Sequence, residues 1–243
     1  MSAQVKIGCC GFSKAREEYF RRFPVVEVQA TFYKPPRLET ALRWRAEAPP
    51  EFEFTLKAWQ LITHPPSSPT YRRLGYEIDR SAGDRYGFFR PTAEVGEAWK
   101  RTEEIARALQ AKVIVFQCPA SFRPGAENER NLLDFFSRID RKEHVFAWEP
   151  RGKWGQRTIR EICRKADLIH CVDPFQADQL HGRISYFRLH GVGGYRYRFT
   201  DRDLGSLAKK IPNKGETYCL FNNLAMFQDA GRFQNKSEVR SQK

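Results

Sequence analysis

Eight short apolar runs punctuate the chain, and nearly every one turns polar or charged at its end. They read VKIGCC (5–10), VVEVQA (25–30), EFTLKA (53–58), VIVFQC (113–118), VFAWEP (145–150), LIHCVD (168–173), YFRLHG (186–191) and YCLFNN (218–223). Their β-branched and aromatic bias at this length predicts strands. Between them the apolar spacing changes to three and four, which predicts helices. Val95, Ala98, Trp99, Thr102, Ile105 and Leu109 form the clearest stripe, over residues 94–110. Leu132, Phe135, Phe136 and Ile139 repeat it, as do Ile159, Ile162, Cys163 and Ala166, and then Leu204, Leu207, Ala208 and Ile211. Strand and helix alternate without a linker over 243 residues, close to the ~250 of a (β/α)8 barrel. The expectation is an α/β fold: a single TIM-like barrel domain over residues 1–243.

One connection departs from the pattern. About 35 residues rich in Pro, Ser, Arg and Tyr follow the third strand, from WQLITHPP to FFRPTA (59–93). Structureless stretches of that length in compact domains are usually lids or binding loops. The tail after Phe233, QNKSEVRSQK, is polar and is expected to fray.

Period-two alternation assigns the strand faces. Phe54, Leu56, Phe146, Trp148, Phe187 and Leu189 fall outward, towards helices. Glu27, Gln29, Lys57, Gln117, Glu149, Arg188 and His190 fall inward, with Asp173 and one of Asn222 and Asn223. Charged groups inside a barrel cost several kcal/mol unless paired. Their concentration at C-terminal strand ends places a ligand site at that mouth. A purely structural salt-bridge layer is the plain alternative.

Glu27, Lys57, Glu149, Arg188 and His190 are the catalytic candidates. Glu27, Glu149, Asp173 and His190 form an oxygen-plus-imidazole set suited to Mn²⁺, Mg²⁺ or Zn²⁺. Lys57 and Arg188 would then neutralise phosphoryl oxygens, a combination fit for metal-assisted phosphodiester hydrolysis. Equally, the carboxylates could simply neutralise Lys57 and Arg188 with no metal. A Schiff base on Lys57 needs a depressed pKa, which neighbouring Glu side chains would oppose.

Ligand-binding candidates line the same end. Gly193 and Gly194 follow the seventh strand, and Tyr195, Arg196, Tyr197, Arg198 and Phe199 alternate ring with cation. That interleaving suits stacked bases and phosphates; a half-exposed strand with solvated arginines is the bland reading. Tyr71-Arg72-Arg73 and residues 85–90, RYGFFR, repeat the theme in the long connection. Gln29, Gln117, Arg151, Asn222 and Asn223 join the set. His64 and Tyr33 do so from the segments after the third and second strands.

Lys plus Arg number 42 against 29 acids, a net charge of +13, which favours an anionic partner: nucleic acid or a phosphorylated small molecule. No apolar run reaches the ~20 residues of a membrane span, and no secretion signal opens the chain. A cytoplasmic location with no membrane partner is expected. The six cysteines lack a C-x-x-C spacing and read as buried reduced thiols rather than metal ligands.

Taken in order, IGCCGF, VVEVQATFYKPP, FTLKAWQLITH, IVFQCP, AWEPRGKW, YFRLHG and LFNN resemble the YecE-like family, domain of unknown function 72, over the full length. KAWQLITHPPSSPTYRR and the CCGF opening are most similar to its archaeal branch. The resemblance implies a barrel related to the TIM fold and no established activity. It also carries a proposed likeness to endonuclease IV-type repair barrels, an analogy of fold. Those sites are rich in His, whereas this chain has five His in all, so a trinuclear zinc centre does not fit. The expectation is a nucleic-acid-processing hydrolase; the alternatives are a non-catalytic nucleic-acid binder and an enzyme acting on a phosphorylated sugar or nucleotide.

Overall fold

The computed structural model describes residues 3–78 and 80–241. Asp79 of the long connection and residues 242–243 of the tail lie outside them. The strands are β1 (Ala3–Cys9), β2 (Val25–Val28), β3 (Glu53–Lys57), β4 (Val113–Gln117), β5 (Val145–Glu149), β6 (Ile169–His170), β7 (Ser185–Leu189) and β8 (Gly215–Phe221). The helices are α1 (Arg16–Arg22), α2 (Ala30–Tyr33), α3 (Leu38–Glu47), α4 (Gln60–Thr63), α5 (Ala93–Leu109), α6 (Ala126–Arg138), α7 (Gln156–Lys165), α8 (Asp201–Lys210) and α9 (Met226–Ser241).

All pairings are parallel, in the order β6-β5-β4-β3-β2-β1-β8-β7. The last gap, between β6 and β7, is spanned by a single bridge from Val172 to Phe187. There Arg188 N donates to Val172 O at 2.9 Å. The result is a nearly closed TIM-type barrel. Among the described residues no helix connects β6 to β7, and that seam is the weakest of the eight.

The two-residue alternation sorts the core into two layers. Cys10, Val25, Val113, Val115, Ala147, Ile169, Cys171, Tyr186, Tyr218 and Leu220 fill the barrel interior. Val26, Val28, Phe54, Leu56, Ile114, Phe116, Phe146, Trp148, Phe187, Leu189 and Phe221 pack outward against the helices. Gly8 belongs to the inward phase, and a Cβ there would stand 2.1 Å from Val25 O. Only glycine lets β1 and β2 approach so closely. At the N-terminal mouth Lys6 closes the interior by pairing with Glu53 and Glu216.

The helical stripes form where the spacing places them. Thr92 caps α5 through Val95 N, and Gln110 ends it in the left-handed conformation. Thr200 and Asp203 form a reciprocal capping box on α8.

Two expectations are corrected. The connection after β3 is not structureless: it holds α4 and two 3₁₀ turns, Pro69–Arg73 and Arg80–Arg85. Its far end is pinned, with Gly87 N bonded to Leu61 O at 2.8 Å and Phe89 N to Ile62 O at 2.9 Å. Phe89 is buried against Phe116, Phe122, Phe135 and Phe136. The tail after Phe233 is not irregular backbone either: α9 continues to Ser241. Phe233 is in the core, and Asn235 accepts from Arg22 at 2.9 Å.

Six free cysteines are all buried. No helix among the described residues is long and apolar enough to cross a membrane.

Candidate functional site

Parallel strands deliver their last residues to one end, and here those residues form a connected polar floor. Arg188 on β7 is its hub and is fully buried. Its Nε donates to both Glu27 carboxylate oxygens at 3.1 and 3.2 Å. One terminal nitrogen lies 3.0 Å from Glu27 Oε1. The other donates to Gln117 Oε1 at 3.0 Å and to Glu149 Oε2. Glu27 also accepts from Tyr186 OH at 2.9 Å and from Gln29. Thr55 Oγ1 meets the same tyrosine oxygen at 2.7 Å.

A second tier lies above the floor. Arg151 donates from Nε and a terminal nitrogen to Glu149 Oε1 at 3.0 and 2.7 Å. The same terminal nitrogen is 2.7 Å from His190 Nε2. Arginine only donates, so His190 Nε2 accepts and the ring proton belongs on Nδ1, which lies 3.6 Å from Asp173 Oδ2. Asp173 is fixed by the backbone N–H groups of His190 and Phe175, each at 3.0 Å. Glu149, Arg151, His170, Asp173 and His190 line a recess of about 490 Å³.

Lys57 stands apart from both tiers. Its Nζ lies 3.5 Å from the centroid of the Phe32 ring, and no carboxylate among the described residues is within ion-pairing reach. His64 packs edge-on to the same ring at 4.9 Å. Thr31 ties this corner down, its hydroxyl bridging Val28 O and Lys57 O at 2.8 and 2.7 Å.

The electrostatics follow from who holds whom. Burial pushes the Glu149 carboxyl up, but Arg188 and Arg151 more than offset this and leave it at about 2. Burial pushes the Lys57 ammonium down and the Arg188 charge adds to that; Glu27 and Glu149 oppose, and the balance is about 7. Neighbouring glutamates do raise Lys57, as the sequence suggests, but burial first and the Arg188 charge second outweigh them. Burial, then Lys57 and Arg151, depress His64 to about 3, so its imidazole is neutral.

Several sequence candidates are elsewhere or otherwise engaged. Asn222 continues the inward phase of Tyr218 and Leu220, whereas Asn223 is a structural clamp, donating to Tyr197 O and Asp229 Oδ2 at 2.8 Å. Tyr197 donates to Asp203 at 2.6 Å, and Phe199 is buried. Tyr71 donates to His64 O at 2.7 Å. Most rings of the expected stacking clusters are thus spent on packing. Tyr195 is the exception, 56% exposed, beside exposed Arg196 and Arg198. Gly193 and Gly194 adopt positive φ with open space around them. Tyr33 carries the Arg73 guanidinium 3.5 Å above its ring.

For the metal expectation, Glu149, Asp173 and His190 meet at one recess, but no cluster of three His, Cys, Asp or Glu side chains that could hold an ion occurs among the described residues. Guanidinium groups and Tyr186 occupy the carboxylate oxygens, so a cation would have to displace Arg188 or Arg151. The residues present do not fit a metal. Sequence reasoning passed over Tyr186 and Phe32. Only Tyr186 carried a signal, since it shares the inward phase of Arg188.

A family model described as protein of unknown function DUF72 matches residues 10–243. The chain belongs to the DUF72 family. A DUF72 family protein from Enterococcus faecalis V583 is 18% identical, with 97% of this chain and 98% of that one covered and a TM-score of 0.72. A xylose isomerase domain containing protein from Salmonella typhimurium LT2 is 12% identical, covering 98% of each chain at a TM-score of 0.61. An AP endonuclease, family 2, from Brucella melitensis is 11% identical, covering 92% of this chain and 94% of that one at 0.54. At such identities these likenesses establish the barrel fold and no more. No curated protein matches the chain.

Proposed function

We propose that this DUF72 barrel binds nucleic acid and takes one sugar-phosphate unit of the strand into its C-terminal mouth. The observation that carries the reading is a surplus of cations at one end of the barrel. The Glu27 and Glu149 charges are consumed by Arg188 and Arg151. Lys57, partly protonated at neutral pH, has no carboxylate within ion-pairing reach among the described residues, and exposed Arg196 and Arg198 follow β7 beside exposed Tyr195. A net charge of +13 draws a polyanion to that surface. The fold shared with an AP endonuclease is compatible with this reading by analogy.

A second reading, a free phosphorylated sugar, is favoured by the recess of about 490 Å³ beside Arg151 and His190, a volume suited to a small molecule. A titration separates the two. Binding of a short single-stranded oligonucleotide should weaken steeply with log salt concentration. The double variant Arg196→Ala/Arg198→Ala should lower the slope by about 1–2. An oligonucleotide that fails to bind at low salt, while a sugar phosphate does bind, overturns the nucleic-acid reading and leaves the second.

A further inference from the structure

We propose that Lys57 is an imine-forming residue that condenses with the open-chain aldehyde of a phosphorylated sugar held in the mouth. This rests on the reading above for the sugar-phosphate and adds the reacting group.

The geometry sets this lysine apart from an ordinary buried one. A buried ammonium normally acquires a carboxylate or several hydrogen bonds. Lys57 is only 4% exposed and its one close partner is the face of Phe32. Two carboxylates point into the same interior, yet Arg188 engages both. The arrangement denies Lys57 a counter-ion while keeping a permanent positive charge beside it. Charged and titratable groups acting on Lys57 are Arg188, Glu27, Glu149 and Arg151, with neutral His64 edge-on to the same Phe32 ring. A pKa of about 7 then leaves a large share of free amine at neutral pH, the form that attacks a carbonyl. Thr31 holds the backbone of the strand end, so the amine is carried on a rigid element at the strand's C-terminal end.

The step balances without a redox partner. The lysine nitrogen lone pair bonds to the aldehyde carbon as the carbonyl π pair moves to oxygen. Nitrogen loses a proton and oxygen gains one, giving a carbinolamine. Its hydroxyl takes a proton and leaves as water while the nitrogen lone pair forms the C=N bond; the remaining N–H proton is then released, restoring the one taken up, and water reverses the sequence.

Borohydride trapping tests it on the full chain. The protein is incubated at pH 7 with 2-deoxyribose 5-phosphate, or with an oligonucleotide carrying one abasic deoxyribose, then reduced and digested. The adduct should map to Lys57 at about tenfold or more the yield of any other lysine, since ordinary lysines are almost wholly protonated there. Lys57→Arg should abolish it, and peptide mapping of the parent protein decides the matter even if that variant misfolds. Trapping by both probes supports the imine with either source of sugar. Trapping by the oligonucleotide alone assigns the source to nucleic acid. Trapping by deoxyribose phosphate alone keeps the imine and removes the nucleic-acid reading. Oligonucleotide binding without a Lys57 adduct from either probe overturns the imine and spares that reading. Adducts spread evenly over exposed lysines overturn the imine as well.

Discussion

Arg188 and Glu27 form an ion pair from which water is wholly excluded, with 3.0 Å between a guanidinium nitrogen and Oε1. Both side chains have no exposed surface. Desolvating two such charges costs several kcal/mol each, and the cost is recovered only by close pairing plus full hydrogen bonding. Here Tyr186, Gln29 and Gln117 supply most of that hydrogen bonding, while one terminal nitrogen of Arg188 has the Glu27 charge beside it but no hydrogen-bond partner among the described residues. The pair therefore organises the mouth: it fixes the floor on which Glu149, Arg151 and His190 are arranged.

Removing the hub should be far worse than removing one spoke. Arg188→Met leaves Glu27 and Glu149 buried without a counter-charge, and should cost about 3–5 kcal/mol in urea unfolding. Glu27→Gln leaves Arg188 still paired with Glu149 and should cost less. Equal midpoints for Arg188→Met and the parent would show that the floor is not held by this pair.

Two groups give stability a defined pH dependence. Lys57 has a folded pKa of about 7 against an ordinary value of 10.5. Between those limits the unfolded chain binds more protons, so stability rises as pH increases from about 7 towards 10.5. Glu149 acts in the same direction but in the acid range, with a folded pKa of about 2 against 4.5. Its contribution is fully present above about 4.5 and is lost as pH falls through about 2. Lys57→Met should flatten the alkaline rise and Glu149→Gln the acid limb, each read from urea midpoints across pH. A parallel displacement of the whole profile in Lys57→Met would mean that the amine titrates normally.

The inward phase of Glu27, Lys57, Gln117, Glu149 and Arg188 was legible in the sequence because barrel strands alternate faces strictly. Partner choice was not legible. Five polar groups on five strands can pair in several ways, and only the register shows that Arg188 takes both glutamates and leaves Lys57 alone. The metal set was not decidable from sequence for the same reason, since guanidiniums hold the glutamate oxygens it would use. The 59–93 connection misled because its anchor, Phe88–Phe89, adopts φ of 53° and 55°. Aromatic residues seldom enter that region, so composition carried no trace of it. The choice between Asn222 and Asn223 depended on where the β8 phase ends, and β8 stops at Phe221.

That anchor is itself testable. Phe89 is 1% exposed and touches four aromatic rings under the connection. Phe89→Ala should cost about 3–5 kcal/mol and free the segment from α4. Limited trypsin digestion should then cut after Arg85 or Arg90 well before the rest of the chain. Unchanged cleavage kinetics would place the anchor elsewhere.

Tyr186 offers the finest probe of the floor, because one oxygen links three groups. Its hydroxyl donates to Glu27 Oε2 at 2.9 Å and lies 2.7 Å from Thr55 Oγ1. Tyr186→Phe keeps the ring against Tyr218 and deletes only the hydroxyl. A hydrogen bond to a buried charge contributes about 1.5–3 kcal/mol, and the variant should lose that much in urea unfolding. Because Glu27 then relies more heavily on Arg188, a double-mutant cycle of Tyr186→Phe with Gln29→Ala should show coupling of at least about 0.5 kcal/mol. Strict additivity would mean that the two donors act on Glu27 independently, and that the floor is a set of separate pairs rather than one network.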